Sequence, residues 1–282
     1  MSFTAIFIAL LLERFFDCSH LRNWSWYAKY QRMIMQKLQG QKPYVGLAAT
    51  VIPIVIAVVI LEMIISNVAF GFLKLAFSVF VILYCFGPRN LWADTFACLN
   101  ALSDGDTGAA IDKLKISFGV LDNVDPPTLH RRLINAIFTQ ANRRVFALVF
   151  WFGIFGLSGV VFYRLISLFV PEAGGDEIDA QLSNSARQVE SYLDWPSIRA
   201  LTFVFALGGN FSRVLACWRA KAMLGPESND ALLSECGMAA LTTASQETLP
   251  VDGSVEKEEI SLLDRSLAIV LVVIAVLVFL IP

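Results

Sequence analysis

Long apolar runs alternate with short charged stretches along most of this chain. A helix needs about 20 mainly apolar residues to cross a bilayer. Four segments are strong candidates for membrane-spanning helices: Tyr44 to Ser66, Val68 to Phe86, Val145 to Val170 and Leu267 to Ile281. Two further segments, Ser2 to Phe16 and Leu201 to Cys217, are weaker candidates. The pattern predicts an all-α fold, a polytopic transmembrane helical bundle of about six membrane segments with a small helical cytoplasmic lobe.

The distribution of Lys and Arg orients these segments, because cytoplasmic loops of membrane proteins are rich in both residues. The loop after the first segment and the stretch 88–144 are basic, whereas the loop 171–194 is acidic. We therefore expect N-terminal membrane segments with a basic cytoplasmic loop in 1–87 and a cytoplasmic helical lobe in 88–144. Membrane segments with an acidic outer loop follow in 145–218, a cytoplasmic polar segment in 219–265 and a C-terminal membrane helix in 266–282.

The predicted lobe has helical periodicity. Trp92, Phe96 and Leu99 fall on one helical face. The turn Asp104-Gly105-Asp106-Thr107 offers Asp106 or Thr107 as a helix cap, which we favour over a small metal site on turn-residue preferences. Asp125-Pro126 begins a further helix, whose pattern continues without a break into the membrane run at Val145.

Two further boundaries follow from polar residues. Asp194-Trp195-Pro196 is typical of a capped helix start and opens the weak fifth membrane segment, which Gly208-Gly209-Asn210 interrupts. A helix break in the middle of a membrane segment is tolerated where it is buried in protein or lines a water-filled cavity. Thr243 to Glu259 is polar and acidic, which predicts a linker.

Composition narrows the class of protein. The chain is 56% hydrophobic with a net charge of −2, which favours a membrane protein and excludes a basic field for nucleic acid. Its five cysteines are scattered without a C-x-x-C pair, so neither a zinc site nor a redox motif is predicted. The first segment lacks a basic n-region and a small-residue cleavage site, and we interpret it as a retained helix.

Charged and aromatic residues recur where the apolar segments begin, end or break. Ionisable residues at such places either anchor a helix at the interface or line a polar site inside the bundle. Both interpretations apply to Glu13-Arg14 and to Tyr163-Arg164, whereas Arg199 lies within a membrane-directed helix and needs a partner. We predict a ligand-binding site for an anionic group, without a metal or catalytic residues, made of Glu13, Arg14, Tyr163, Arg164, Asp194, Trp195, Arg199 and Asn210.

Small residues also form a candidate packing face. Gly153, Gly156 and Gly159 share one helical face, and small residues let membrane helices approach closely. The glycines therefore suggest that two copies of the chain could associate through this face as a homo-oligomer. Membrane lipid is the other expected partner.

Four stretches occur in an order and at a spacing that resemble the AmpE family. They are Leu11-Leu12-Glu13-Arg14-Phe15, Phe150-Trp151-Phe152 through Phe162-Tyr163-Arg164, Tyr192-Leu193-Asp194-Trp195 through Arg199, and Phe205-Ala206-Leu207-Gly208-Gly209-Asn210-Phe211. The family usually shows D-W-x-P-x-R, whereas Pro196 here follows Trp195 directly. The resemblance implies a multi-pass protein of the bacterial inner membrane that modulates β-lactamase induction after cell-wall damage, with a cell-wall-derived ligand as the possible signal.

AmpE proteins in turn resemble the CobD/CbiB membrane enzymes, which attach an aminopropanol arm to a corrinoid acid using ATP and magnesium. Ala101-Leu102 with Gly105-Asp106, and Ala110 with Leu114, are similar to that family's A-L-x-x-G-D-L-x-x-A-R-x-x-L run. Asn135, Thr139 and Arg143 stand where the relatives have the acidic residues of an E-S-V-A-E-N-x-x-D-G run, so the plausible magnesium ligands are replaced.

Three function classes therefore stay open. A regulatory ligand-binding protein is the leading hypothesis, and we assign no cofactor. A residual ATP-dependent amide-forming enzyme of the CobD/CbiB type would use Asp104 and Asp106, and a membrane scaffold would use the glycine face. A transporter is a weaker alternative, because no inverted repeat of broken helices is found.

Overall fold

The computed structural model describes residues 2–15, 23–38, 41–68, 71–86, 90–104, 106–118, 126–170, 180–241 and 254–280. The helices are α1 Ser2–Phe15, α2 Ser25–Lys37, α3 Pro43–Val68, α4 Gly71–Cys85, α5 Leu91–Ser103, α6 Thr107–Phe118, α7 Pro126–Ala141, α8 Ala147–Ser167, α9 Ala180–Gly208, α10 Phe211–Lys221, α11 Asn229–Ala240 and α12 Ser254–Leu280. A π-helical turn, Asn142–Phe146, joins α7 to α8, and a 3₁₀ turn, Pro226–Ser228, precedes α11. The described residues contain no strand, as the all-α prediction requires.

The chain divides into two compact units. The first comprises Met1–Asn90, Leu148–Pro171 and Gly175–Leu193, and the second comprises Leu91–Ala147, Glu172–Gly174 and Asp194–Pro282. These units differ from the five regions expected from the sequence, whose membrane and cytoplasmic assignments stay predictions.

The first unit is built on apolar helix faces. α1 packs on α4, and α3 contacts both α2 and α4. The buried face of α1 carries Ala5, Ile6, Ala9 and Leu10, which recur at helical spacing. Tyr27 of α2 is also buried, and its hydroxyl donates to the Leu165 carbonyl over 3.3 Å.

Two helical stretches of the described chain are long and apolar enough to cross a membrane, Pro43–Ser66 and Arg131–Ser167. Phe3–Glu13 and Gly71–Cys85 are apolar but shorter. Only 11% of the most apolar window of Pro43–Ser66 is buried within the protein, so most of this helix is suited to contact lipid. The prediction of six segments is not confirmed by these helices.

Two charges lie within the apolar helices of the first unit and face each other. Glu62 of α3 and Lys74 of α4 form an ion pair with 3.7 Å between the Lys74 Nζ and Glu62 Oε1 atoms. Each side chain is about one-third exposed. An isolated charge in hydrocarbon is expensive, and an opposite charge on the neighbouring helix lowers that cost.

The second unit is a helical assembly around α7. α5, α6, α11 and α12 all contact α7, and α10 packs along α11. Phe138 of α7 lies against Phe205 of α9, with ring centroids 5.3 Å apart. A Cβ atom on Gly237 would lie 2.5 Å from the Phe138 ring, so the absence of a side chain at this position lets α11 approach α7.

Several predicted boundaries agree with the helices. Asp106 caps α6, because its Oδ1 accepts from the Ala109 amide over 2.9 Å. The helical pattern from Pro126 runs through to Ser167, as expected, although the π-helical turn at 142–146 was not foreseen. The break at Gly208-Gly209-Asn210 is confirmed by the end of α9 and the start of α10.

Other boundaries were wrong. The helix containing Asp194 begins at Ala180, so Asp194-Trp195-Pro196 lies inside α9 and does not start a helix. The predicted linker Thr243 to Glu259 is helical from Ser254 onward, and its earlier part lies outside the described residues. By contrast, the helical periodicity of Trp92, Phe96 and Leu99 is confirmed by α5, in which Trp92 and Leu99 are buried and Phe96 is 44% exposed.

Gly156 interrupts α8 with a backbone conformation that few other residues adopt. Its φ is 64° and its ψ is −144°, inside an otherwise helical segment. The resulting kink brings the Trp151 carbonyl within 2.5 Å of where a Cβ on Gly159 would lie, whereas a Cβ on Gly153 would meet nothing within 4 Å. Gly156 and Gly159 therefore have a local role in shaping α8 that was not predicted from their spacing.

We expect Gly156→Ala to lower the free energy of unfolding by about 1–3 kcal/mol, because a side chain strains this backbone conformation. Gly153→Ala is the matched control and should change stability by less than about 1 kcal/mol. Thermal unfolding of both variants in detergent measures the difference. Equal midpoints for the two variants would contradict a requirement for glycine at 156.

Candidate functional site

Arg199 of α9 makes several hydrogen bonds within the second unit. Its residue is only 7% exposed, and its guanidinium carbon lies 4.6 Å from the centroid of the Trp195 ring, one helical turn earlier. Arg199 Nη1 also donates to the Trp195 carbonyl over 3.1 Å. Trp195 therefore contributes both a ring face and a carbonyl oxygen, and both stabilise the cation.

The remaining donors of Arg199 reach the connection between α10 and α11. Nε donates to the Ala222 carbonyl over 2.9 Å and Nη2 to the Leu224 carbonyl over 2.8 Å. Nη1 donates to Asn229 Oδ1, and Nη2 to Ser228 Oγ over 3.3 Å. One side chain thus holds the segment Ala222–Asn229, which we call the Arg199-bound loop.

The electrostatics of this contact follow from its burial. Burial disfavours the charged form of the Arg199 guanidinium, and the negative charge of Glu227 offsets part of that cost. Carbonyl and amide oxygens compensate a buried cation only if they are turned toward it, which is the case here. The same donors that the sequence assigned to an anionic ligand are engaged by the protein itself.

A second polar contact joins α9 to the π-helical turn. Asn142 Nδ2 donates to Asp194 Oδ1 over 3.1 Å, and Ser197 Oγ donates to Asn142 Oδ1 over 3.4 Å. Asn142 is 2% exposed and Ser197 is also buried. The π-helical turn begins at Asn142, and such turns occur frequently at functional sites.

A buried ion pair lies on the same π-helical turn. Arg144 is 2% exposed, and its Nη1 lies 3.2 Å from Asp94 Oδ2 of α5. Its Nε donates to Gln140 Oε1 over 2.9 Å, and its Nη2 donates to the Ser117 carbonyl over 2.6 Å. Buried charges are stable when they are paired and hydrogen-bonded in this way. We refer to Asp94, Gln140 and Arg144 as the Arg144 cluster.

Sequence reasoning missed Asp94, Asn142 and Arg144 as site residues. Arg144 contributed only to the count of basic residues near a membrane end. The available signal was a basic side chain placed directly before a long apolar run, inside a helical pattern without a break. Asp94 carries no such signal, because its partner lies 50 residues away in the chain.

The first unit contains four of the predicted residues, Glu13, Arg14, Tyr163 and Arg164. Glu13 is 3% exposed and lies on the buried face of α1, so its side chain is shielded from solvent by the protein. Tyr163 and Arg164 are buried in α8, and the Arg164 guanidinium lies 6.0 Å from the Trp24 ring centroid. Arg164 Nη1 also donates to Ser167 Oγ over 3.4 Å. The Arg14 side chain lies outside the described residues.

The other four predicted residues belong to the second unit. Trp195 and Arg199 are in direct contact, and Asp194 precedes Trp195 on the same helix but bonds to Asn142. Asn210 caps α10, because its Oδ1 accepts from the Arg213 amide over 3.2 Å. The backbone amide of Asn210 donates to the Ala240 carbonyl over 3.2 Å, so the helix break contacts the end of α11. As a single ligand-binding site, the predicted set stays a prediction.

In the ranges that the structure describes, no three His, Cys, Asp or Glu side chains are grouped where they could hold a metal ion. Asp104 and Asp106, the acidic residues of the predicted turn, are both exposed. Asp106 is engaged in capping α6.

These features define a class of protein, namely a helical protein whose described residues include buried arginines and two helices long and apolar enough to cross a membrane. Residues 6–248 match the family model described as CobD/Cbib protein, which covers most of the 282 residues. The chain therefore belongs to the CobD/CbiB family. No solved structure matches it.

Two curated relatives are similar to parts of the chain. A protein of Stutzerimonas stutzeri named Cobalamin biosynthesis protein CobD is 28% identical over 121 residues, which are 42% of this chain and 39% of the relative. A protein of the same name from Chromobacterium violaceum is 25% identical over 157 residues, 55% of this chain and 50% of the relative. The matched parts thus span half or less of the relatives' length.

We expect Arg199→Met to release the Arg199-bound loop, because several carbonyl oxygens lose their donors while the packing volume is largely kept. Amide hydrogen exchange in Ala222–Asn229 should become at least about tenfold faster, which corresponds to a loss of about 1.4 kcal/mol of local stability.

Arg219→Ala is the matched control, since Arg219 is exposed on α10 and near the same loop in sequence. Exchange in the loop should be unchanged in this control. Unchanged exchange in Arg199→Met as well would show that the loop holds its conformation without the guanidinium.

Proposed function

We propose that this chain is a regulatory member of the CobD/CbiB family, of the AmpE type, in the bacterial inner membrane as a multi-pass protein. In this role it modulates β-lactamase induction in response to cell-wall damage. It does so by binding an anionic, cell-wall-derived ligand at its buried polar residues. Family membership supports the general class, and the AmpE-like stretches support the finer assignment.

The observation that carries the proposal is the ion pair between the buried Arg144 and the half-buried Asp94. A guanidinium stands in the helical run that resembles the acidic run of the CobD/CbiB enzymes, and it engages a nearby carboxylate at 3.2 Å. Hard divalent cations such as magnesium are bound through carboxylates, whereas arginine is suited to carboxylate and phosphate groups. These groups support the binding of an anion in this region over the binding of a divalent cation.

Three nearby residues of the same helical run also lack a negative charge. Asn135, Thr139 and Arg143 follow each other at four-residue spacing, which puts them along one helix face. All three are half-buried, and none is acidic. A face with amide, hydroxyl and guanidinium groups can donate hydrogen bonds to an anion.

In the proposal, the predicted residues bind the ligand within their own units. Glu13, Tyr163 and Arg164, with Arg14, are the candidates of the first unit. Asp194, Trp195, Arg199 and Asn210 are those of the second. Because the Arg199 donors are engaged by the Arg199-bound loop, a ligand competes with loop carbonyls for this cation, and binding is coupled to a change of the loop.

The second candidate function is enzymatic, an ATP-dependent amide-forming reaction on a corrinoid acid. The observation in its favour is the name of both curated relatives, Cobalamin biosynthesis protein CobD. Asp104 and Asp106 would be the acidic residues of such an enzyme, although Asp106 would have to serve as a helix cap at the same time.

Self-association through the glycine face of α8 also stays a prediction. Gly153 is the best position to test it, because a side chain there meets nothing within 4 Å inside the chain. A Gly153→Leu variant should lower the oligomer mass in detergent if this face joins two copies. An unchanged mass would argue against that interface.

The function test uses a host strain lacking the gene for this chain. We expect its loss to alter β-lactamase induction by a β-lactam and to leave growth without added cobalamin unchanged. Complementation with the unmodified chain should restore induction, whereas an Arg144→Gln variant should restore about one-tenth of it or less, the loss typical of a removed charge-assisted hydrogen bond.

Arg219→Ala provides the matched control and should complement fully. Membrane levels of each variant must be equal, since an unpaired Asp94 also destabilises the fold. A cobalamin requirement with unchanged induction would replace the regulatory proposal with the enzymatic one. Unchanged induction and unchanged growth would contradict both.

A further inference from the structure

Two cysteines that lie far apart in the sequence meet between α10 and α11. Cys217 Sγ and Cys236 Sγ are 2.6 Å apart, and both are free thiols. A disulfide bond is about 2.05 Å long, so a small movement brings the two sulfur atoms to bonding distance. The two helices that carry them pack along each other.

The two thiols differ in access. Cys217 is partly exposed, whereas Cys236 is buried. A reagent in solution can therefore reach Cys217 first, and Cys236 is placed to react with whatever forms there. Burial raises the pKa of the Cys236 thiol, and the adjacent Cys217 raises it further, while the Lys221 ammonium opposes both effects.

A charge pair lies beside the thiols on the same two helices. The Lys221 ammonium and the Glu235 carboxylate form an ion pair between α10 and α11. Lys221 lies one helical turn after Cys217, and Glu235 directly precedes Cys236. The thiolate, and not the thiol, is the nucleophile in thiol–disulfide exchange.

We propose that Cys217 and Cys236 form a redox-active pair that a small soluble disulfide oxidises to an intramolecular disulfide. The Cys217 thiolate attacks one sulfur of the small disulfide, forms a mixed disulfide and releases one thiolate. Cys236, on losing its proton, attacks Cys217 Sγ and releases the second. Two protein thiols and one small disulfide thus become one protein disulfide and two small thiols.

Oxidation would act on the Arg199-bound loop. The bond joins residues 217 and 236, and Ala222–Asn229 lies entirely between them. A closed loop of this size restricts the unfolded state and resists separation of its ends. The oxidised form should therefore hold the loop on Arg199 more firmly than the reduced form.

The first test is chemical. The purified full-length protein, fully reduced in detergent, is treated with oxidised glutathione, and free thiols are then alkylated. Trypsin places the two cysteines on separate peptides, Val214–Arg219 and Ala222–Lys257. We expect a linked pair of these peptides to become the main product, and reduction to separate them again.

Single variants establish the order of steps. In Cys236→Ser the reaction should stop at a glutathione adduct on Cys217. In Cys217→Ser the buried Cys236 should react at least about tenfold more slowly. Cys98→Ser is the matched control, because Cys98 is buried in α5 and the linked peptides should still form.

The consequence for the loop is measured on the same samples. Oxidation should raise the thermal midpoint by roughly 5 °C and slow hydrogen exchange in Ala222–Asn229. Neither change should occur in the single variants. Glutathione adducts without linked peptides, or linkage of either thiol to another cysteine, would overturn the proposal. Linked peptides without slower exchange would overturn its effect on the loop.

Discussion

A buried guanidinium can exist inside a helical protein only if oxygen atoms are arranged around it, and the second unit depends on this requirement. The Arg199 guanidinium donates hydrogen bonds to the carbonyls of Ala222 and Leu224 and to the side chain of Asn229. The path of the connection between α10 and α11 is therefore determined by a residue of α9. Because α11 follows directly from that connection, the position of Cys236 beside Cys217 depends on the same cation.

Arg144 illustrates the same requirement with a different solution. Its partner is a carboxylate, Asp94, and the remaining donors reach Gln140 and the Ser117 carbonyl. Replacement of a buried ion pair by apolar residues is often neutral or stabilising, so stability alone does not explain why such a pair is kept. The proposed binding of an anion in this region is one reason for keeping the pair, beyond its contribution to packing.

Helices and helix caps that depend on local sequence patterns could be predicted from the sequence. Apolar periodicity located the membrane-type helix of α3 and the long helical run from Pro126, and turn chemistry identified Asp106 as a cap. The same local reasoning was wrong at Asp194-Trp195-Pro196. These residues resemble a helix start, but α9 already begins at Ala180, and Pro196 lies inside it.

The site residues were predicted less completely, for a physical reason. Arg199 was identified because a charge in an apolar helix must have a partner, but the identity of the partners depends on residues more than 20 positions away. The contacts of Arg144 with Asp94 and of Cys217 with Cys236 are equally long-range in sequence. Periodicity and spacing carry no information about such pairs.

The ion pair between Glu62 and Lys74 has a consequence for how the protein is made. α4 is 15 residues long and carries a lysine near its start, so by itself it is a poor candidate for entry into a bilayer. α3 is longer and carries the complementary acid near its end. If both helices enter a bilayer, as the sequence predicts, the two charges partly cancel when the helices lie side by side. Joint insertion of α3 and α4 as one helical hairpin would then cost less free energy than insertion of each helix alone.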